Sequence, residues 1–134
     1  MDRDERILRT YDTIAVVGAS RDPRKAAHDV PLQLQRAGFR IVPVNPYADE
    51  LLGTQAYGAL AEIPFAVEVV LVFRPSAEAA RIAREAVAIG AKALWLQLGL
   101  HSGEARRIAE GAGLLYVEDT CSAVVRSLHR IDKR

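Results

Sequence analysis

Short apolar segments recur along this chain, and a helical pattern separates each one from the next. The segments are residues 13–17, 40–44, 67–72, 93–96 and 114–117. None shows the polar alternation of a strand with one face in water, so each is typical of a strand buried on both faces of a parallel sheet. The alternation predicts an α/β fold: a Rossmann-like, doubly wound, five-stranded and mainly parallel sheet with helices on both faces. The 134 residues suit a single domain spanning residues 1–134.

The helical patterns carry start and stop signals of their own. Residues 29–37 form an amphipathic pattern that ends at Gly38, and Pro31 is tolerable there if it falls in the first turn. Ser76 and Ser102 are predicted to cap the helices that follow them. Further helices are predicted at residues 3–11, 59–63 and 122–129, the last of which should dock Val125 and Leu128.

The fold class predicts where a ligand binds. Right-handed crossovers are expected to make the first strand central, with the second strand on one side and the fourth on the other. Ligands then bind beyond the carboxyl ends of the strands, at the point where the strand order reverses. The segments that leave those ends are residues 18–21, 45–47, 73–76 and 97–100.

The loop after the first strand is suited to bind a phosphate but departs from the dinucleotide fingerprint. Gly18 stands at the first glycine position of that fingerprint, whereas Ser20 and Pro23 replace the second and third. The second strand ends in Asn45 and Pro46, where an NAD site has an acidic residue for the ribose. An ordinary NAD site is therefore disfavoured.

Composition and charge exclude several classes of partner and several kinds of site. A formal net charge of +1 gives no electrostatic footprint for nucleic acid. No apolar run is long enough to span a membrane, and the charged N-terminus is unlike a signal peptide, so we expect a cytoplasmic protein with neither nucleic acid nor membrane as a partner. A single cysteine, Cys121, and three scattered histidines leave no disulfide framework and no metal site.

Several segments read together resemble one family. They are residues 17–21 (VGASR), 42–46 (VPVNP), 72–74 (VFR) and 91–99 (AKALWLQLG). In this order they resemble the small stand-alone CoA-binding domain proteins, which are similar to the N-terminal domain of the succinyl-CoA synthetase alpha subunit. The resemblance implies a Rossmann-like fold that holds coenzyme A or an acyl-CoA. It does not imply a reaction, because the phosphate-carrying histidine of those synthetases lies outside this domain.

Coenzyme A carries a pyrophosphate and a 3′-phosphate, so its site needs backbone N–H donors and cations. Ser20 could offer both its hydroxyl and its N–H, and Arg24 is a lesser candidate cation. Asn45 and Pro46 are implied neighbours of the ribose or adenine, and Phe73 could line the adenine. The predicted binding residues are Gly18, Ala19, Ser20, Arg21, Lys25, Val44, Asn45, Pro46, Tyr47, Phe73, Arg74 and, along the pantetheine, Gln97 and Leu98.

Alternatives remain open at this level. No nucleophile, base and metal constellation is visible, which favours non-catalytic binding. The chain could instead be the CoA-binding component of a ligase completed by a separate subunit, form a homo-oligomer, or sense NAD(H) or adenine nucleotides in the same crevice. Cys121 could form a mixed disulfide with coenzyme A or serve only in packing, and Trp95 is expected in the core.

Overall fold

The computed structural model describes residues 1–134 and consists of a parallel sheet between two layers of helices. The strands in chain order are β1 (Thr13–Val17), β2 (Arg40–Val44), β3 (Glu50–Leu51), β4 (Thr54–Gln55), β5 (Val69–Val72), β6 (Ala93–Leu96) and β7 (Leu115–Val117). The helices are α1 (Arg3–Thr10), α2 (Ala26–Arg36), α3 (Ala79–Ala88), α4 (Gly103–Gly111) and α5 (Ser122–Leu128), with short 3-10 turns at Leu60–Glu62 and Ser76–Glu78. None of these helices combines the length and the apolar character that crossing a membrane requires.

The main sheet has five strands in the order β2-β1-β5-β6-β7, and every neighbouring pair is parallel. This confirms the predicted fold class. As predicted, β2 and the fourth strand of this sheet, β6, lie on opposite sides of β1; the third strand, β5, lies directly beside β1, and β6 lies beyond it. After β2 the chain crosses back over β1 and forms β5 on its other side. Strands β6 and β7 then follow in order, each farther from β1. The order reverses between β1 and β5.

The sheet buries both of its faces. Helices α1, α2 and α5 cover one face through an apolar cluster that includes Leu8, Leu34 and Val125. Helices α3 and α4 cover the other through a second cluster rich in alanine, which lets them approach each other and the sheet closely. Trp95 is fully buried, as predicted, and its indole Nε1 donates to the carbonyl oxygen of Thr120 at 2.8 Å.

Three local expectations about the helices need correction. Helix α2 begins at Ala26, so Pro31 lies in its interior and not in its first turn. The Ser76 hydroxyl accepts a hydrogen bond from the His101 N–H at 3.0 Å and does not cap α3. Leu128 is 72% exposed and does not dock.

Other helix and strand predictions are confirmed. The Ser102 side chain caps α4 by accepting from the Ala105 N–H at 3.0 Å, and Val125 is buried. Strands β5 and β7 start slightly later than predicted, at Val69 and Leu115.

Candidate functional site

A crevice of about 750 Å³ opens at the carboxyl ends of β1, β2 and β5, where the strand order reverses. The loops that leave these three strands form its walls. All but two of the residues predicted from the sequence line it: Gly18, Ala19, Ser20, Arg21, Lys25, Val44, Asn45, Pro46, Tyr47, Phe73 and Arg74. The structure brings these residues together in one place, and their contact with a ligand stays a prediction.

Gly18 lets the loop after β1 pass directly against the end of β5. Its φ is +92°, in the left-handed region that favours glycine. A Cβ at this position would lie 2.9 Å from the Phe73 carbonyl oxygen and 3.0 Å from the Arg74 Cδ. The Gly18 N–H donates to the carbonyl oxygen of Val44 at 3.2 Å, so this one residue contacts the ends of both neighbouring strands.

Ser20 stabilises the conformation of the loop that follows β1. Its N–H donates to the Ala27 carbonyl oxygen at 3.1 Å, and its hydroxyl oxygen accepts from the Asp22 N–H at 3.0 Å. The Nδ1 of His28 lies 2.8 Å from the Ser20 carbonyl oxygen. The Ser20 N–H is therefore already used within the protein, and its donation to a phosphate stays a prediction that this geometry does not favour.

Other donors in this loop are available. The backbone N–H groups of Ala19 and Arg21 make no hydrogen bond within the protein. The first turn of α2 follows Lys25, whose ammonium group forms no ion pair. The arrangement presents backbone donors, a helix N-terminus and a cation to the same space, which is how α/β proteins bind anions.

Asn45 joins the loop after β2 to the loop after β1. Its Nδ2 donates to the Ala19 carbonyl oxygen at 3.0 Å, while its Oδ1 accepts from the Tyr47 N–H at 2.7 Å. Arg21 makes a second link, since its Nη2 donates to the Tyr47 carbonyl oxygen at 2.8 Å. The Tyr47 ring is 88% exposed at the rim of the crevice. The two loops therefore hold each other in place.

The wall formed by the end of β5 and α3 is charged. Arg74 binds Glu78 at 2.7 Å, and Arg81 binds Glu78 at 2.9 Å and Glu85 at 2.7 Å. The hydrogen bond from Arg74 lowers the pKa of Glu78, and the same bond raises the pKa of Arg74. Both groups are therefore charged at neutral pH.

Three residues of this wall were not among the predicted binding residues. Glu78, Arg81 and Glu85 repeat at a spacing of three and four residues, which places them on one face of a helix. That spacing was a signal that could have identified them. Arg24 does not line the crevice; it binds Asp22 at 3.0 Å on the exposed side of the loop.

Gln97 and Leu98 lie outside the crevice. Gln97 is 5% exposed, and its Oε1 accepts from the Ser122 N–H at 3.4 Å and from the Ser122 hydroxyl at 3.3 Å. Leu98 is 66% exposed. The cause is the strand order, because β6 is separated from β1 by β5. Their predicted contact with a pantetheine arm stays a prediction that this geometry does not favour.

The cluster of three possible metal ligands and the single cysteine lie away from the crevice. Asp2, Glu5 and His129 have ligand atoms within 4.8 Å of one another, but Glu5 also binds Arg9 at 2.8 Å, so this cluster is an ion-pair network between α1 and α5. Cys121 precedes α5, is half-buried and does not line the crevice.

Comparisons with known proteins agree with this geometry. The sequence profile of a family described as CoA binding domain matches residues 12–127. The chain is 37% identical over 122 residues to the uncharacterized protein YneT of Bacillus subtilis (strain 168), which covers 91% of this chain and 90% of that protein. A solved structure of a hypothetical protein from Pyrococcus horikoshii OT3 superposes with a TM-score of 0.90 at 35% identity, covering 98% of this chain and 92% of that one.

A shorter match links the chain to a larger protein. It is 38% identical over 63 residues to the alpha subunit of acetate–CoA ligase [ADP-forming] II of Pyrococcus furiosus. That match covers 46% of this chain and 14% of the ligase subunit. The chain is thus similar to a small part of that subunit.

Proposed function

This chain belongs to the CoA binding domain family, and from that premise we propose that it binds coenzyme A or an acyl-CoA in the crevice at the carboxyl edge of its sheet. In this proposal the chain catalyses no reaction by itself. A volume of about 750 Å³ suits a ligand of this size, since binding pockets for small organic molecules span about 300–1,000 Å³.

One observation supports the proposal above all: unpaired backbone donors and cationic side chains line the same crevice, beside the start of α2. The N–H groups of Ala19 and Arg21 are unpaired, and the side chains of Arg21, Lys25 and Arg74 line the same space. A pyrophosphate accepts hydrogen bonds from such donors and is stabilised by the positive end of the helix. The exposed Tyr47 ring and the half-buried Phe73 ring at the rim are suited to contact an adenine.

The state of the carboxylates in the crevice supports the non-catalytic part of the proposal. Asp22 is bound by Arg24, Glu78 by Arg74 and Arg81, and Glu85 by Arg81. The hydrogen bonds from Arg24 and Arg74 lower the pKa values of Asp22 and Glu78, respectively. A carboxylate held charged in this way is a poor proton donor, and paired it is a poor base.

The direct test is calorimetric titration of the purified chain with CoA, acetyl-CoA, ADP and NAD. We expect CoA or acetyl-CoA to bind more tightly than ADP and much more tightly than NAD. Absence of binding by both CoA and acetyl-CoA at millimolar concentration would refute the proposal. A clear preference for NAD would instead support a nucleotide sensor.

A pair of variants locates the site. Arg74→Gln should weaken CoA binding by about ten- to hundredfold, as expected for the loss of a charge-assisted hydrogen bond to a phosphate. Arg84→Gln is the matched control, because Arg84 is exposed on α3, outside the crevice, and its one ion pair is with Glu104 at 4.0 Å. Equal loss in both variants would indicate a general charge effect and not a site in the crevice.

A second candidate function comes from the similarity to the ligase alpha subunit. The chain would then be the CoA-binding component of a ligase whose remaining parts lie on a separate subunit. Affinity capture from native extract, followed by an assay for ADP-forming ligase activity, tests this. A captured partner that confers activity would support the ligase component, and capture without a partner or activity would support the binding protein.

A further inference from the structure

A second, smaller cavity lies at the opposite end of α2 from the crevice. Its volume is about 180 Å³, and its walls come from the end of α2, from α5 and from the C-terminal residues. We call it the arginine pocket; its lining residues are Gln33, Arg36, Ala37, Arg126 and Arg134. Helix α2 has 11 residues, so the two cavities are separated by its length of about 16 Å.

Three guanidinium groups line this pocket with one carboxylate beside them. Arg134 binds Asp132 at 2.7 Å, and this ion pair holds the pKa of Asp132 well below its usual range. The side chain of Arg36 makes no hydrogen bond and no ion pair within the protein, and Arg126 makes no ion pair. Positive charge is therefore left in excess at this point.

Arg126 points most directly to a missing partner. Its Nε is fully buried and has no acceptor, and the only hydrogen bond of its guanidinium is a long one of 3.4 Å from Nη1 to the Ile131 carbonyl oxygen. Buried polar groups are nearly always paired, because leaving one unpaired is unfavourable. Because Arg126 also lines the cavity, its guanidinium brings donors to this place that the protein itself leaves largely unused.

The ends of the helices do not account for these arginines. Arg36 lies in the last turn of α2, where a positive charge is favourable. However, the last carbonyl groups of α2 are already satisfied by backbone donors, since Gln33 and Leu34 accept from the Ala37 N–H and Gln35 accepts from the Gly38 N–H. Arg36 and Arg126 are thus free to bind another acceptor.

From these observations we infer that the arginine pocket binds a small tetrahedral oxyanion of the phosphate class. Arginine is the residue best suited to this role because its planar donors match phosphate oxygens in pairs. The size agrees: 180 Å³ is several times the roughly 30 Å³ of one water molecule and is below the roughly 300 Å³ at which pockets for larger organic ligands begin. The site is separate from the crevice and does not depend on CoA binding.

The experiment is a titration of the full chain with inorganic phosphate at constant pH and ionic strength, followed by the ¹H–¹⁵N signals of the arginine Nε–H groups. We expect the Arg126 Nε–H signal to shift and saturate in the millimolar range. Sulfate should act in the same way, and acetate more weakly. An equal shift with chloride, or a stronger one with acetate, would overturn the inference.

Variants assign the effect to this pocket. Arg36→Gln should weaken phosphate binding by about tenfold or more, and it should not affect folding because Arg36 is exposed and has no partner to lose. Arg74→Gln in the crevice should leave the Arg126 shift unchanged. This result distinguishes phosphate bound in the crevice from phosphate bound in the arginine pocket. Wild-type affinity in Arg36→Gln, or loss of the Arg126 shift in Arg74→Gln, would contradict the proposed site.

Discussion

The backbone N–H of Ser20 donates to the carbonyl oxygen of Ala27 at 3.1 Å. In a regular helix this carbonyl would accept from the residue four positions later, but that residue is Pro31, which has no N–H. The proline in the interior of α2 thus leaves one carbonyl group free, and that carbonyl accepts a hydrogen bond that links the loop after β1 to the first turn of the helix. The proline contributes to the shape of the crevice from a distance.

Replacing Pro31 with alanine should therefore weaken CoA binding. The new N–H would compete with Ser20 for the Ala27 carbonyl, and one hydrogen bond contributes about 0.5–1.5 kcal/mol, or roughly two- to tenfold in affinity. Calorimetric titration with CoA measures the effect. Pro64→Ala is the control, because Pro64 is exposed and does not line the crevice. If the Pro31→Ala variant binds as tightly as the wild type, the Ser20–Ala27 bond does not shape the site.

Gly18→Ala should destabilise the protein and disturb the crevice. A non-glycine residue in the left-handed region costs about 1–3 kcal/mol, and here the added Cβ also meets the Phe73 carbonyl oxygen at 2.9 Å. Gly53→Ala is a matched control with a φ of +71° and no atom within 4 Å of its Cβ, so it reports backbone strain alone. Thermal unfolding of both variants should show the larger loss at Gly18. Equal losses would mean that the contact with Phe73 and Arg74 has no energetic effect.

The positions of the five main strands and most of the residues that line the crevice could be predicted from the sequence, because both depend on local sequence patterns. The ends of β1, β2 and β6 follow from apolar runs that stop at Gly18, Asn45 and Gln97, so the residues leaving those ends could be predicted. The strand order could not, because the handedness of a crossover does not determine on which side of β1 the next strand lies. For that reason the contact of Gln97 and Leu98 with a ligand stays a prediction that the strand order does not favour.

Other misses depended on contacts between distant segments. Pro31 leaves the Ala27 carbonyl group without a helical donor, and Ser20, eleven positions before the proline, supplies the N–H for it. Ser76 has the residue type of a cap, but the N–H of His101, 25 positions later, takes its hydroxyl. No local pattern encodes either contact.

Asn45→Asp should reduce the affinity for CoA more than a negative charge that is introduced outside the crevice. The carboxylate could no longer donate to the Ala19 carbonyl oxygen, which it would face at about the present 3.0 Å, and it would repel the phosphates that we place nearby. Gln55→Glu is the matched control, since it makes the same change of charge at an exposed position outside the crevice. Calorimetry should show a marked loss for Asn45→Asp and little change for Gln55→Glu. Similar affinities for the two variants would contradict the position of the phosphates.

Tyr116→Phe should destabilise the protein at neutral pH and lose part of that effect in acid. The buried hydroxyl donates to Glu118 at 2.8 Å and contacts the Ser102 carbonyl oxygen at 3.1 Å. Burial first, and then the bond to Glu118, raises the pKa of Tyr116, which therefore stays protonated. We expect a loss of about 1–3 kcal/mol in the free energy of unfolding at pH 7, as for a hydrogen bond to a charged group.

The pH dependence has a definite sign. The Tyr116 hydrogen bond is the main cause that lowers the pKa of Glu118 from its ordinary value of 4.5. A carboxyl group whose pKa is lower in the folded state stabilises the protein fully above its unfolded pKa, and this contribution disappears as the pH falls through the folded pKa. The stability curves of wild type and Tyr116→Phe, measured by urea unfolding, should therefore stay apart above the ordinary pKa of Glu118 and converge below it. Tyr11→Phe, which removes a hydroxyl without a hydrogen bond, should show no such convergence. Parallel curves for Tyr116→Phe down to pH values well below 4.5 would show that the charge of Glu118 is not what the tyrosine stabilises.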